Sequence, residues 1–285
     1  MVSFRHDFTP FTWMGACPDI NQADWVIVGQ PYDGTCSGHP GTRFGPSAIR
    51  QYSYAIETYS PYQNKDLSTV RYFDAGDLEF PLGNRDKTLA IIKDTTEDVL
   101  QANKKWAGMG GEHLVTAPVI EAYAQQYPDL LLIHFDAHAD LRDEYLGESL
   151  SHATAIRRAI DHLSPQQLIQ IGIRSGPQEE FEWMVEHKSL MTHTEQLAER
   201  LMGHKNQPVF ITVDLDVFDP AYLPGTGTPE PGGISFMDFL NWLRVMKGLN
   251  VVGFDILELS PHYDPSGQSA ILAAKVMREL LLYFS

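Results

Sequence analysis

The chain has 285 residues, enough for one or two domains and for burying roughly three quarters of the unfolded surface without covalent staples. Hydrophobic residues make up 43% and charged residues 20%, which fits a globular chain and argues against a disordered one. With 21 Lys and Arg against 37 Asp and Glu, the net charge is −16; with no Lys/Arg run, this argues against a nucleic-acid partner and suits cations instead.

The first strand expected is 25–29 (WVIVG), followed by a helix over 46–58 and a strand at 70–74 (VRYFD). Helices over 87–105 and 114–126 precede a strand at 130–135 (LLLIHF), then a helix over 152–162 and a strand at 168–173 (LIQIGI). After a helix over 179–187 come a strand at 209–213 (VFITV), a helix over 235–247 and a strand at 251–256 (VVGFDI). Ser235 stands as an N-cap with Asp238 three residues on. The closing helix, 268–283, carries Ile271, Leu272, Val276, Leu280 and Leu281 at helical spacing.

Several of the strands are continuously apolar, as parallel strands covered on both faces are. The alternation predicts an α/β fold with a mostly parallel sheet, in one domain spanning 1–285. Gly/Pro-rich stretches at 34–46 and 220–233 fall between strand and helix, at the carboxyl ends of strands, where such sheets bind ligands. Cys17 and Cys36 make no disulfide framework and no CxxC spacing, which fits a reducing compartment. The start MVSFRHDFTPFTWMG has no apolar signal-peptide core, and no apolar stretch approaches the roughly 20 residues of a membrane helix. A cytoplasmic location and no membrane partner are expected.

Three motifs carry ligand-type side chains. Asp136-Ala-His138-Ala-Asp140 directly follows the LLLIHF strand, and period-two spacing puts its three polar side chains on one face. Asp214-Leu-Asp216 ends the strand VFIT in the same way, and in Gly110-Gly-Glu-His113 the glycines permit a sharp turn before His113. Carboxylates crowded at strand ends repel one another unless cations lie between them. Two divalent ions resolve the conflict, and an oxygen-rich set with two imidazoles and no thiolate favours Mn(II). Two ions about 3.5–4 Å apart can share a water and lower its pKa toward neutrality.

At these residues the chain resembles the ureohydrolases, the arginase and agmatinase family. GGEH, DAHAD and VDLDVFDPAYLPGTGTPEPGG look like the family's signature blocks, supported by PGTRFGPSAIR, IGIRSG and GFDILELSP. The resemblance implies a three-layer α/β/α arginase-like domain and an enzyme with two Mn(II) ions. His113, Asp136, Asp140 and Asp214 would hold one ion; Asp136, His138, Asp214 and Asp216 would hold the other. It further implies that a bridging hydroxide attacks the guanidinium carbon and that Asp140 also hydrogen-bonds this hydroxide. Glu258 matches the glutamate that clamps the guanidinium, and His152, in LSHAT, matches the histidine that passes protons to the leaving amine. Glu112 departs from the aspartate of many members (GGDH), although other agmatinase-like members share GGEH.

Arginases resemble one another in a loop after DAHxD and in an acidic stretch after IGIR. Here these regions read LRDEYLGESLS and RSGPQEE and look like agmatinases instead. The expected partner is therefore a small cationic guanidino substrate, agmatine, cleaved to putrescine and urea. Guanidinobutyrate, guanidine or arginine is the alternative, and a non-catalytic protein on the same fold a remoter one. The resemblance also implies a homotrimer or homohexamer.

Several other residues have weaker expectations. Arg142 could meet a substrate carboxylate, though it reads first as a solvated loop charge; Tyr145 and Glu148 could line a tail pocket. His134 reads as a hydrogen-bonded core histidine, His39 as a surface loop residue, and Arg43 as a residue ordering its own loop. His262 follows Glu258 closely enough to be a candidate for reaching substrate.

Overall fold

The computed structural model describes residues 4–9 and 12–285. In chain order the strands are β1 (Phe8–Thr9), β2 (Trp25–Gln30), β3 (Tyr59–Ser60), β4 (Lys65–Asp66), β5 (Tyr72–Leu78), β6 (Lys105–Gly110), β7 (Leu131–Phe135), β8 (Leu168–Ile171), β9 (Leu190–Met191), β10 (Pro208–Asp214) and β11 (Asn250–Leu257). The α-helices are α1 (Gly45–Ser53), α2 (Arg85–Gln101), α3 (Thr116–Gln126), α4 (Ala155–Ala159), α5 (Gln178–His187), α6 (Thr194–Arg200), α7 (Phe236–Val245) and α8 (Gln268–Tyr283).

Nine strands form one sheet in the order β1-β5-β2-β6-β11-β10-β7-β8-β9. All pair in parallel except the short edge strand β1, which runs antiparallel to β5. Alternate residues of each central strand feed opposite cores: Trp25 and Ile27 point to one side of the sheet, Val26 and Val28 to the other. That double burial is why the strands read as continuous apolar runs. One core takes side chains from α1, α6, α7 and α8, the other from α2, α3, α4 and α5, so the fold has three layers.

Most expected elements form, with shifted ends. The 152–162 helix is reduced to α4 between two 3-10 turns, and Ser235 caps α7 by bonding Asp238 N. β6 (KWAGMG), the hairpin β3–β4, the edge strands β1 and β9, and α6 were not expected. β6 escapes sequence reading because two of its six residues are glycine and its apolar run is broken. It nevertheless sits beside β2 and β11 in the middle of the sheet.

The order of the strands positions the site. β6, β11, β10 and β7 are neighbours, so their carboxyl ends open side by side, although β11 comes last in sequence. The segment between β2 and α1 packs over this edge, and α1 itself is anchored by a fully buried arginine. Arg50 donates from Nε and Nη2 to Asp74 on β5, at 2.8 and 2.9 Å, and from Nη1 to Asp77. Asp74 also accepts from Trp13 N at 2.6 Å, tying the N-terminal segment to the same carboxylate.

Removing one partner of a buried pair leaves an uncompensated charge. Arg50→Leu is therefore expected to destabilise the fold by about 3–5 kcal/mol, read as the denaturant midpoint in urea. An unshifted midpoint would show that the network contributes nothing.

Candidate metal centre

The GGEH turn leaves the end of β6 and is pressed against two neighbours. A side chain at Gly111 would collide with the Tyr32 backbone, so only glycine fits there, and one at Gly110 would displace the Leu257 side chain. The turn delivers His113 at the start of a 3-10 turn that leads into α3. β7 ends at Phe135, and Asp136, His138 and Asp140 follow it; β10 ends at Asp214, with Asp216 in the next turn. β11 lies between β6 and β10 and is followed directly by Glu258.

These side chains converge. His113 Nδ1 lies 3.0 Å from Asp136 Oδ2 and 3.3 Å from both Asp140 Oδ2 and Asp214 Oδ2. His138 Nδ1 lies 3.0 Å from Asp216 Oδ2 and 3.5 Å from Asp136 Oδ1. Asp136 thus joins both histidine groups. Asp136 and Asp216 have no exposure, and Asp214 and Asp140 are buried as well. Among the described residues, the four aspartates have only histidines as ion-pair partners.

The electrostatics record the crowding. Burial, then Asp216 and Asp136, push Asp214 well above the usual carboxylate range. Burial and Asp136 raise Asp216, while burial and Glu112 raise Glu258. Burial opposes charge on His138, but Asp136 and Asp216 lift it to about 12. Burial also opposes charge on His113, yet three aspartates hold it well above its ordinary value. Without cations the cluster keeps protons, and two divalent ions would take their place.

His113 itself supplies the test of fit. Its Nε2 lies 3.0 Å from Thr212 Oγ1; Thr212 faces Thr116 Oγ1 at 3.4 Å, and Thr116 donates to the buried Asp255 at 2.9 Å. A neutral His113 that donates from Nε2 along this chain toward Asp255 keeps Nδ1 for a metal ion. Nδ1 then turns its lone pair toward three carboxylates, and it makes no hydrogen bond there. A buried lone pair facing anionic oxygens is a ligand set in want of a cation, and imidazole nitrogen with carboxylate oxygen suits divalent metals.

Neighbouring groups hold the remaining atoms. His134 Nε2 meets Asp136 Oδ2 at 2.8 Å, and its Nδ1 faces the Gln170 amide at 3.2 Å, so it braces Asp136 from below. Asp216 Oδ1 accepts from Ala137 N at 3.0 Å, and its Oδ2 accepts from Thr228 Oγ1 at 3.0 Å. Arg174 donates to the carbonyls of Asp216, Val217 and Glu230, folding the 220–233 loop over the site. Asp140 and Glu258 both adopt left-handed backbone, with φ of 53° and 65°, unusual for residues with a side chain.

A cavity of about 130 Å³ opens onto the cluster. His138, Asp140, Asp214, Glu258, His152 and Arg142 contribute to its wall, as do Tyr145 and Glu180. Burial and Asp140 raise Glu180 to about 7. Glu148 instead pairs with Arg85 at 2.6 Å, beside a neighbouring cavity. His39 stacks on Tyr263 and His262 packs edge-on against Phe44, away from this wall. Arg43 pairs with Asp33 in its own loop. Glu180, Thr228, Gln170 and Asp255 were not singled out in the sequence: Gln170 and Asp255 are lone polar residues within strands, Glu180 stands in the first turn of α5, and Thr228 in the 220–233 loop.

Asp136→Ala is expected to abolish binding of both divalent ions, and His138→Ala to abolish chiefly one, as counted by elemental analysis after dialysis. Equal metal content in both variants and in the unmodified protein would refute the ligand assignment.

Comparisons with known proteins identify the family. The model of the arginase family matches residues 23–283. The agmatinase of Bacillus subtilis (strain 168) is 44% identical over 288 residues, covering 99% of both chains. The mitochondrial guanidino acid hydrolase of Homo sapiens is 34% identical over 278 residues, covering 90% of this chain and 77% of that one. The solved proclavaminate amidino hydrolase of Streptomyces clavuligerus superposes with a TM-score of 0.86 at 32% identity, covering 100% of this chain and 97% of that one. With the family's binuclear-site residues in place, this chain belongs to the arginase family.

Proposed function

We propose that this ureohydrolase is an agmatinase that hydrolyses agmatine to putrescine and urea with two Mn(II) ions, working in the cytoplasm as a single catalytic domain. The observation that carries the reading is the cavity whose wall joins the aspartate–histidine cluster to Glu258 and His152. With Asp140 and Asp214 given to the ions and Glu258 to the guanidinium, Glu180 is the acid left on the wall to meet a positively charged tail. The 44% identity to a full-length agmatinase supports the same substrate, and two free cysteines suit a reducing compartment.

His113, Asp136, Asp140 and Asp214 would hold one ion, and Asp136, His138, Asp214 and Asp216 the other. When bound, two such ions supply the Lewis acidity that makes water nucleophilic near neutral pH. The chain's own residues do the rest. Glu258 Oε1 already accepts from His113 N at 2.7 Å, which fixes its carboxylate against the wall, where it can take N–H bonds from a planar guanidinium. Asp140 accepts a hydrogen bond from the attacking water and orients it. His152 Nδ1 meets Thr35 O at 2.8 Å, so the neutral ring holds its lone pair on Nε2, which can take up a proton and pass it to the leaving amine.

A second reading has a specific observation behind it. Arg142 lines the cavity with its guanidinium 5.2 Å from the Tyr145 ring centre, within reach of a substrate carboxylate. A guanidino acid would use it; agmatine would not.

Urea release from agmatine, arginine, guanidinobutyrate and guanidine separates these readings. Agmatine is expected to exceed the others in kcat/KM by at least about tenfold, or 1.4 kcal/mol of transition-state discrimination. A preference for guanidinobutyrate that disappears in Arg142→Ala would establish the second reading. His152→Ala is expected to keep its metal and lose about 10²–10⁴-fold in kcat; an unchanged rate would remove His152 from the mechanism.

A further inference from the structure

Glu112 stands next to His113 yet makes no contact with the metal cluster. It is fully buried and, among the described residues, has no Lys or Arg partner. Its turn is zipped onto the end of β2, with Gly111 N donating to Gln30 O at 2.8 Å and Glu112 N to Tyr32 O at 2.7 Å. Both carboxylate oxygens bond Thr35 of the loop beyond, and Cys36 Sγ approaches Oε2 at 3.7 Å. Oε2 accepts from Thr35 N at 2.7 Å, and Oε1 accepts from Thr35 Oγ1.

Thr35 in turn holds His152 at two points. Thr35 Oγ1 accepts from His152 N at 2.9 Å, and Thr35 O accepts from His152 Nδ1 at 2.8 Å. A carbonyl oxygen can only accept, so the proton of the neutral ring sits on Nδ1. Nε2 is left as the acceptor, 3.0 Å from Ser37 Oγ at the cavity wall. Three segments far apart in sequence thus meet through one carboxylate and one threonine. The extra methylene of glutamate suits this reach, since the GGEH backbone is fixed against Tyr32 and an aspartate carboxylate would stop short of Thr35.

We propose that Glu112 is a positioning residue for His152: acting through Thr35, it fixes which ring nitrogen carries the proton and aims Nε2 into the cavity. What Nε2 then does there rests on the proposed function; the placement of the ring does not.

The test compares Glu112→Gln, Thr35→Val and Thr35→Ser. Glu112→Gln and Thr35→Val are expected to lower kcat about tenfold to a hundredfold, with KM within about twofold and bound metal unchanged. Thr35→Ser should recover most of what Thr35→Val loses. Nitrogen-15 shifts of His152 in the Zn(II)-loaded protein should report the Nδ1–H form in the unmodified chain and a mixture with the Nε2–H form in Glu112→Gln. An unchanged tautomer, or a kcat loss that tracks loss of metal, would overturn the proposal. Should the unmodified protein hydrolyse no guanidino compound, the proposed function falls; the tautomer measurement needs no substrate and still decides the role of Glu112.

Discussion

Buried carboxylates that no Lys or Arg neutralises set the terms for the rest of this molecule. Asp136, Asp140, Asp214, Asp216 and Glu258 collect at the carboxyl ends of β7, β10 and β11, where burial and neighbouring carboxylates raise Asp214, Asp216 and Glu258. A carboxylate in that position is costly unless a cation or a proton sits beside it. His113 and His138 carry part of the compensation, and the geometry of their nitrogens leaves room for divalent ions to carry the remainder.

Holding such a cluster requires support from behind. The hydrogen-bond chain from His113 through Thr212 and Thr116 ends on Asp255, whose carboxyl burial pushes up to about 6. His134 and Gln170 brace Asp136, and Arg174 stitches the 220–233 loop down by backbone carbonyls. The left-handed backbone at Asp140 and Glu258 is held by Arg157 N donating to Asp140 O and by Glu258 N donating to Gly111 O. These supports sit on strands packed between two apolar layers, a frame stiff enough to keep opposing oxygens in place.

Much of this was legible in the chain. Doubly buried strands write themselves as continuous apolar runs, so β2, β7, β10 and β11 could be read directly, and helix periodicity gave α8 to the residue. The ligand-type residues were legible because DAHAD and DLD, each ending a strand, occur together with GGEH; DLD alone would read as well as a turn cap. β6 was not, since Gly108 and Gly110 break its apolar run and erase its strand signature. Glu180 and Asp255 stayed hidden for a different reason: a lone acid carries no local pattern, and its meaning lies in what faces it across the fold.

Local chemistry, then, was settled by the amino-acid order: which side chains can bind cations, where strands end, and that the excess negative charge would gather around positive partners. The tertiary structure decided adjacency. It inserted β11, the last strand in sequence, between β6 and β10, and so brought Glu258 to a wall shared with His113 and Asp214. It also turned Glu112 away from the metal cluster and toward Thr35 and His152. Sequence spacing cannot carry such facts, because hydrogen bonds and charge repulsion act across a few ångströms of space regardless of how many residues of chain lie between the partners.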